Sequence, residues 1–448
     1  MTERVVVIGA GIAGVSLAHR LTTHHGMSEV TLIDPMPPLT LTSDKSTECY
    51  RNWWPNQPMV ALMNRSIDLL EEFASRTNNL FGLNRRGYLF VTADVNRRDE
   101  WVEQANRTSG FGGGPVRIHP GPMEYRAAPP HGYQHQPDGV DIFEDGSLVR
   151  AHFPYVTERA VGAIHVRRAG WFSAQQLGAW MVEEAKEHGL SHVPGRVAAI
   201  RTVRGRISGV ELADGSHIEC AAVVNAAGPL AAGVGEMVGI ELPLRSEVHL
   251  KVAYREHRQV VPREAPMIIW SDTQHIAWSE EEAEALAAEG RDDLLGEMPV
   301  FCHGRPEGGA GSNYFLGLWE YHGDVRQPSW PLPADDLYPE VVIRGLTTMV
   351  PGFSQYLDGL PQATVDGGYY TKTPENRPLL GPAGPDGYFL ACGYSGFGVM
   401  VAAGAADLVA AHITESDLPE YAEEFLLSRY DNPEYLHATT QKVDTGQL

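Results

Sequence analysis

Three glycines near the start of the chain have the spacing of a phosphate-binding turn. They are Gly9, Gly11 and Gly14, and an acidic residue, Asp34, follows about 20 residues after the third. In a dinucleotide site the first glycine permits a tight turn, the second lets the backbone approach the pyrophosphate, and the third lets helix and strand pack closely. A carboxylate at the position of Asp34 accepts hydrogen bonds from ribose hydroxyls. The spacing predicts a dinucleotide site and by itself fits NAD and FAD equally.

The elements around these glycines have the order of a βαβ unit. Val5–Ile8 is a short apolar run typical of a strand buried in a parallel sheet. Residues 15–21 have helical spacing, and residues 30–33 form a second apolar strand that ends at Asp34. The first turn of the helix would direct unpaired N–H groups and a partial positive charge at the phosphates.

The bulk composition predicts a two-domain globular enzyme. A chain of 448 residues exceeds what one hydrophobic core usually supports. The net charge of -22 repels phosphate backbones and anionic lipid headgroups. We therefore expect a small-molecule substrate, with neither nucleic acid nor a membrane as a partner.

The cysteines and the apolar segments indicate a cytoplasmic protein. Four cysteines are widely spread, without the spacing of a disulfide framework or a metal site, so no metal is expected. The first strand begins within a few residues of Met1, which leaves no room for a signal peptide. The longest apolar run, residues 399–413, is broken by Asp407 and is expected to be a buried helix.

Further elements follow from composition and periodicity. Residues 42–55 lack a helical or strand period and are expected to form an ordered loop. Helices are predicted at residues 64–74, 172–189 and, as a solvated acidic insertion, 279–297. Strands are predicted at residues 86–92, 197–203, 207–212, 217–220 and 222–225.

Five segments, in the right order, resemble the D-amino-acid oxidase family of FAD-dependent oxidoreductases, closest in pattern to glycine oxidase, sarcosine oxidase and sarcosine dehydrogenase. They are residues 5–34, the loop from Thr42, residues 170–177, residues 223–229, and the C-terminal pair 373–381 and 391–398. The resemblance implies FAD as the cofactor. The family's attachment cysteine would fall near Gly368, so non-covalent FAD is expected, although Cys49 and Cys392 lie on probable flavin-contacting segments.

The resemblance also implies an α/β fold in which a Rossmann-type, glutathione-reductase-like FAD-binding domain is interleaved with an α+β substrate domain on a mostly antiparallel sheet. We expect residues 1–55, 150–245 and 365–425 in the FAD-binding domain, 56–149 and 246–364 in the substrate domain, and 426–448 as a C-terminal tail.

The C-terminal glycines have a physical interpretation of their own. Backbone at Gly393, Gly396 and Gly398 can lie against a flat ring system, and a helix starting near Val399 would direct its positive end at it. Together with the resemblance, this predicts the following cofactor-binding residues: Gly9, Gly11, Ile12, Ala13, Gly14, Asp34, Pro35, Thr42, Ser43, Lys45, Ser46, Thr47, Val197, Ala227, Gly228, Gly393, Gly396, Phe397, Gly398, Val399 and Met400.

Substrate residues are implied mainly by the family pattern. Arg51 lies closest to the arginine that pairs with the substrate carboxylate, and a surface ion pair is its alternative role. The family's lysine and second arginine appear here as Met400 and Tyr370, which favours a substrate larger or less acidic than glycine. His249 and His322 are candidate proton acceptors. Six residues could form an aromatic cage, or simply core: Trp53, Trp54, Trp319, Tyr254, Tyr370 and His249.

We therefore expect oxidation of a C–N bond in an amino acid or N-substituted amine, by hydride transfer to flavin N5 and hydrolysis of the imine, with Arg51, His249 and Tyr370 at the reacting centre. The alternative is a 2-hydroxy-acid or polyol dehydrogenase on the same fold. Either O2 or an electron-transfer partner could reoxidise the flavin. The oxidase lysine of the family aligns with Leu318, and Lys45 and Lys372 are possible replacements.

Overall fold

The computed structural model describes residues 4–121, 124–309, 311–323 and 325–440. The strands, numbered in chain order, form four sheets. The first sheet has the spatial order β19-β20-β13-β1-β2-β9, and all neighbours are parallel except β19 and β20. Its strands are β1 (Val5–Ile8), β2 (Val30–Asp34), β9 (Leu190–Pro194), β13 (Ala222–Asn225), β19 (Leu379–Pro382) and β20 (Tyr388–Cys392). The βαβ unit predicted at the start of the chain thus forms the centre of a parallel sheet.

The second sheet has nine strands in the order β18-β14-β17-β16-β15-β4-β7-β6-β5. It is mixed: β15 with β4 and β5 with β6 are parallel, and the other junctions are antiparallel. Its strands are β4 (Tyr88–Thr92), β5 (Val116–Ile118), β6 (Val140–Phe143), β7 (Gly162–Val166), β14 (Arg245–Arg255), β15 (Met267–Trp270), β16 (Cys302–Glu307), β17 (Tyr314–Leu318) and β18 (Ala363–Lys372).

The remaining strands form two small sheets. One contains β10 (Val197–Val203), β11 (Arg206–Leu212) and β12 (His217–Glu219), close to the strands predicted there. The other pairs β3 (Cys49–Arg51) with β8 (Ala169–Trp171). The expectation of a loop throughout residues 42–55 is therefore wrong at β3, because a distant segment supplies the pairing partner of three residues that have no strand period of their own.

The helices cover both sheets. They are α1 (Ile12–His19), α2 (Gln57–Arg76), α3 (Val95–Thr108), α4 (Gly146–His152), α5 (Ala174–Glu187), α6 (Ala231–Glu236), α7 (Glu280–Ala288), α8 (Tyr338–Met349), α9 (Gly398–Ile413) and α10 (Pro433–Thr440). The acidic insertion is α-helical only in α7, where Ser279 and Glu282 form a capping box, and it has a separate 3-10 turn at Asp292–Leu294.

Helix α9 is mostly buried in the protein, as predicted. Residues 395–413 are long and apolar enough to cross a membrane, but 67% of that window is buried in the protein. Its side chains join those of α1, α2 and α5 in one hydrophobic cluster against the parallel sheet. The other large cluster lies between α8 and the nine-stranded sheet. Each sheet therefore has its own core.

Sheet membership differs from the expected domain ranges at two places. β7 and β18 belong to the nine-stranded sheet, although residues 162–166 and 363–372 fall largely within the ranges expected for FAD binding. The described part of the expected tail, residues 426–440, also packs on the molecule, since Arg429 forms a buried ion pair with Glu375. Residues 441–448 lie outside the described residues.

Candidate functional site

The glycine turn between β1 and α1 is crowded in the way the spacing predicts. Gly9 has φ +105°, and a Cβ atom added at Gly14 would lie 1.9 Å from the Gly9 carbonyl oxygen. Gly14 therefore permits the close approach of helix and strand. A Cβ at Gly9 would also lie 2.4 Å from the carbonyl oxygen of Ala226, so Ala227 and Gly228, the next two residues, lie beside the turn.

The N-terminus of α1 and the end of β2 are tied together. Asp34 accepts hydrogen bonds from the backbone N–H groups of Ala10 and Met36, both at 2.8 Å. The N–H of Ile12, in the first turn of α1, donates to the hydroxyl of Ser43 at 2.9 Å. An oxygen ligand thus already lies where the helix would bind phosphate, and the Ser43 hydroxyl could itself donate to a phosphate oxygen. These groups fit a dinucleotide.

A first cavity, of about 490 Å³, runs from the N-terminus of α1 to that of α9. It brings together two distant segments predicted for the cofactor, 42–47 and 395–399. The lining residues are Ile12, Thr42, Ser43, Lys45, Ser46, Thr47, His249, Leu250, Lys251, Leu318, Gly368, Tyr370, Ser395, Gly396, Gly398 and Val399. Gly368, Gly396 and Gly398 leave part of the cavity wall without side chains, which fits a flat ring system.

Several predicted cofactor residues lie outside both cavity linings. Val197 packs with Ile8 and Ile33 in a hydrophobic cluster. Gly393, at φ +72°, lies near Leu244 and Thr373. Gly9, Gly11, Ala13, Gly14, Asp34, Pro35, Ala227 and Gly228 lie at or near the glycine turn without lining a cavity. The structure leaves their contact with a cofactor as a prediction.

A second cavity, of about 410 Å³, adjoins the first and shares Thr47, Tyr370 and Gly396 with it. The ring of Tyr370 lies against Gly396, where an added Cβ would be 2.2 Å from the ring. The lining residues are Thr47, Cys49, Arg51, Trp54, Tyr88, Met267, His303, Glu320, Tyr370, Gly396, Phe397 and Met400. Arg51, Tyr370 and Met400, predicted from separate motifs, thus meet here.

Arg51 is a buried cation at the end of β3, with 4% of its surface exposed. Its guanidinium donates to the Trp53 carbonyl and stacks over the Trp54 ring, 4.5 Å from the ring centroid. Pairing of β3 with β8 holds its backbone. The side chain is therefore a fixed donor in the second cavity, which argues against the alternative role in a surface ion pair.

His249 and Tyr370 lie on neighbouring strands and stack, with ring centroids 3.8 Å apart and planes 14° apart. His249 Nδ1 is 3.0 Å from Glu320 Oε1, and Nε2 is 3.4 Å from Glu247 Oε2. Burial lowers the pKa of His249, but the two carboxylates outweigh burial and raise the pKa above its usual value. His249 is therefore well placed to carry a proton.

His303 is a functional candidate that the sequence analysis missed. Its Nδ1 lies 2.6 Å from the Phe301 carbonyl oxygen and must carry the proton, so Nε2 is the acceptor. Burial lowers the pKa of His303 and favours the neutral ring. A neutral imidazole of known tautomer therefore lines the second cavity beside Glu320, which was missed too.

Other candidates are part of the core. Tyr254 donates to the Pro339 carbonyl, and Trp319 donates to the Pro299 carbonyl at 2.9 Å, both within the cluster under α8. Trp53 packs in a separate cluster. His322 pairs with Asp335 at 2.7 Å. Of the six residues that could form an aromatic cage or simply core, Trp54, Tyr370 and His249 line a cavity, whereas Tyr254, Trp319 and Trp53 have the alternative core role.

Of the two lysines that could replace the family's oxidase lysine, one lines a cavity and the other does not. Lys45 lines the first cavity, whereas Lys372 binds Glu247 and lines neither cavity. Lys251, which the sequence analysis did not single out, lines the first cavity and donates to the Ser46 carbonyl at 3.0 Å. Lys251 lies on strand β14. The alternation of inward and outward side chains along a strand does not distinguish a functional lysine from a solvent-facing one.

Comparison with known proteins agrees with this geometry. L-proline dehydrogenase from P. horikoshii is 20% identical, with a TM-score of 0.72 over 96% of this chain and 98% of that one. Glycine oxidase from Geobacillus kaustophilus is 17% identical, with a TM-score of 0.72 over 95% and 98%. Iminodiacetate oxidase from Chelativorans sp. BNC1 is 18% identical, with a TM-score of 0.68 over 94% and 98%. At these identities the likeness shows the fold.

The family follows from the sequence itself. A family model described as FAD dependent oxidoreductase matches residues 4–412, nearly the whole chain. The match confirms the predicted family, the FAD cofactor and an oxidoreductase on a mixed α/β fold. The chain belongs to the D-amino-acid oxidase family of FAD-dependent oxidoreductases.

Proposed function

We propose that this protein oxidises the C–N bond of an amino acid or N-substituted amine, with FAD in the first cavity and the substrate in the second. Bound FAD supplies an acceptor for the hydride on the carbon next to nitrogen. The imine product then hydrolyses. One observation carries the proposal: the two cavities adjoin at Tyr370 and Gly396, and the second contains a guanidinium, a carboxylate and a neutral imidazole.

The polar groups of the second cavity suit an amino acid. Arg51 would bind the carboxylate, because a guanidinium matches a carboxylate with paired hydrogen bonds. Glu320 and the Nε2 atom of His303 would accept hydrogen bonds from the amine, which donates through its N–H groups. A stacked His249–Tyr370 pair would form the wall between substrate and cofactor. The names of the three structural neighbours describe enzymes of proline, glycine and iminodiacetate, which supports an amino-acid substrate.

For the cofactor, we propose non-covalent binding along residues 9–14, Asp34, Pro35, 42–47, Val197, Ala227, Gly228 and 393–400. We also propose the predicted division into an FAD-binding domain and a substrate domain. Its boundaries are moved so that β7 and β18 belong to the substrate domain. The protein would act on small molecules in the cytoplasm, without nucleic acid or a membrane.

Reoxidation by O2 or by an electron-transfer partner depends on the first cavity. An oxidase benefits from a positive charge beside the flavin, and Lys251 and Lys45 both line this cavity. Peroxide release measured against dye reduction, in wild type and in Lys251→Met, separates the two acceptors. Peroxide release that falls in the variant while dye reduction persists assigns Lys251 to the oxygen reaction.

Anaerobic bleaching of the flavin tests the function. The purified yellow protein is mixed with panels of primary and secondary amino acids, N-substituted amines, and 2-hydroxy acids of matched carbon skeleton. Bleaching by an amine but not by its hydroxy counterpart supports C–N oxidation. Bleaching by hydroxy acids alone assigns the protein to the alternative class, and a colourless protein without recoverable flavin contradicts both.

A further inference from the structure

A line of enclosed charged groups leads out of the second cavity. It begins at Glu320, which lines that cavity, and passes through His249 to Glu247. The gaps are 3.0 Å from Glu320 Oε1 to His249 Nδ1 and 3.4 Å from His249 Nε2 to Glu247 Oε2. The side chains of the three residues are 21%, 5% and 13% exposed, so the line runs mostly through protein.

The outer end of the line approaches solvent. Glu247 Oε2 accepts a hydrogen bond from Lys372 Nζ at 2.6 Å, and Glu247 Oε1 accepts one from Arg245 Nε at 3.1 Å. The Arg245 side chain is 47% exposed. Burial raises the pKa of Glu247, but hydrogen bonds from His249 and Lys372 outweigh burial and lower the pKa to about 2. A proton that reaches Glu247 is therefore held only briefly, and it lies one residue from bulk water.

The histidine in the middle is held in place. Stacking on Tyr370 fixes the plane of the imidazole, and its two nitrogens lie near the two carboxylates. Nδ1 is enclosed and has no hydrogen bond of good geometry, although it is within ion-pair distance of Glu320. A rotation of the Glu320 carboxylate, which borders the open cavity, would align the contact.

We propose that Glu320, His249 and Glu247 form a proton path that removes the proton lost by the substrate's ammonium group. The inference rests on the proposed oxidation of an amine. The ammonium N–H bond breaks and its proton passes to Glu320, while the electron pair stays on nitrogen. His249 takes this proton on Nδ1 and gives its Nε2 proton to Glu247, which releases it toward solvent. The free amine, which can then lose hydride, is the product of the path.

The charges around His249 set the sign of the pH dependence. Burial lowers the pKa of His249, Glu320 and Glu247 raise it, Lys372 lowers it, and the net pKa is raised. Tyr370, stacked on the ring, is uncharged because burial raises its pKa far above neutrality. The path needs a free Nδ1, so flavin reduction should slow as the pH falls through the pKa of His249.

Glu247→Gln tests the path without changing a residue that lines either cavity. Loss of this negative charge should lower the pKa of His249. The acid limb, which is the pH range in which the rate of flavin reduction falls as the pH decreases, should then move to lower pH by about one unit. Reduction itself should become slower. Two substrates with amines of different pKa separate the enzyme's limb from the substrate's. NMR of labelled histidine checks the pKa directly. Glu219→Gln, on exposed β12, makes the same charge change far from the cavities and should leave the limb in place.

Glu320→Gln and His249→Gln test the inner end of the path. Each should slow reduction at pH 7 at least tenfold, with flavin content retained, and the loss should shrink at high pH where the amine is already free. An unmoved limb in Glu247→Gln, or equal losses at all pH values in the other two variants, overturns the path. Failure of every amine to reduce the wild type would instead overturn the proposed function.

Discussion

Tyr370 sets the boundary between the two cavities. Its ring stacks on His249 on one side and lies against Gly396 on the other. The resemblance predicts that Tyr370 replaces an arginine of the family pattern, and among the described residues that line the second cavity Arg51 is the single arginine. Under the proposed function, recognition of a substrate carboxylate would depend on Arg51.

Replacing Arg51 by lysine should weaken binding of amino-acid substrates. Lysine keeps the charge but cannot form the paired hydrogen bonds of a guanidinium. We expect KM for a carboxylate-bearing substrate to rise by about 10- to 100-fold, from the loss of about 1.5–3 kcal/mol in charge-assisted hydrogen bonding. Steady-state kinetics with an amino acid and with its decarboxylated amine measures the effect.

The decarboxylated amine provides an internal comparison, because its KM should change little in Arg51→Lys. A second comparison is Arg201→Lys, which alters an exposed arginine on β10 that pairs with Glu211. Equal losses for the acid and the amine would show that Arg51 supports the cavity rather than the carboxylate.

The residues of the glycine turn were predictable, whereas two polar residues of the second cavity were not. Gly9, Gly14 and Asp34 lie within one local motif whose spacing reports its own chemistry. His303 and Glu320 lie on or just after two antiparallel strands, β16 and β17, and reach the cavity only through sheet pairing. A single sequence does not show which strands pair, so the residue types of His303 and Glu320 alone could not identify them as cavity residues.

At the scale of elements, one buried carboxylate joins three strands at the edge of the nine-stranded sheet. Asp141 on β6 pairs with Arg117 on β5, with His119 just beyond β5, and with Arg167 just after β7. Burial raises the pKa of Asp141, but these partners outweigh burial and lower the pKa to about 2. The edge of the nine-stranded sheet is therefore held by ionic contacts as well as by its backbone ladder.

This carboxylate should make stability depend on acid pH. The folded-state pKa lies below the ordinary value, so the contribution of Asp141 is complete above about pH 4 and is lost as the pH falls toward 2. We expect Asp141→Asn to lower the free energy of unfolding by about 3 kcal/mol at pH 6, because the arginines lose their buried partner. Urea unfolding of both proteins from pH 6 to pH 3 should show the difference shrinking; a constant difference would contradict the assignment. Asp358→Asn, at an exposed position, serves as the control.

Elements were predictable where periodicity is strong and less so where pairing is remote. The strand and helix patterns around β1, α2, α5 and α9 were sufficient because each carries its own apolar face. β3 has only three residues and owes its conformation to β8, more than a hundred residues away. The mixed order of the large sheet likewise depends on contacts between distant segments.

At the scale of the whole molecule, the first cavity lies between the six-stranded and nine-stranded sheets. Ile12 and Val399 approach it from the parallel-sheet side, and His249 and Leu318 approach it from the nine-stranded sheet. Each sheet has a separate hydrophobic core. A ligand that contacts both sides therefore adds contacts that neither core supplies.

Removing FAD should destabilise the whole protein rather than one sheet. A ligand that binds only the folded state stabilises it by about 2.7 kcal/mol at a concentration 100 times Kd. We expect the deflavinated protein to have a lower Tm than the holoenzyme, and to recover the holoenzyme's Tm when FAD is added.

NAD at the same concentration is the control and should not restore Tm, because it has no flavin ring to fill the part of the cavity lined by His249 and Leu318. Limited proteolysis gives a second measurement, and cleavage should increase on both sides of the cavity after FAD is removed. An unchanged Tm, or loosening confined to the parallel-sheet side, would show that FAD contacts only the domain that carries the glycine turn.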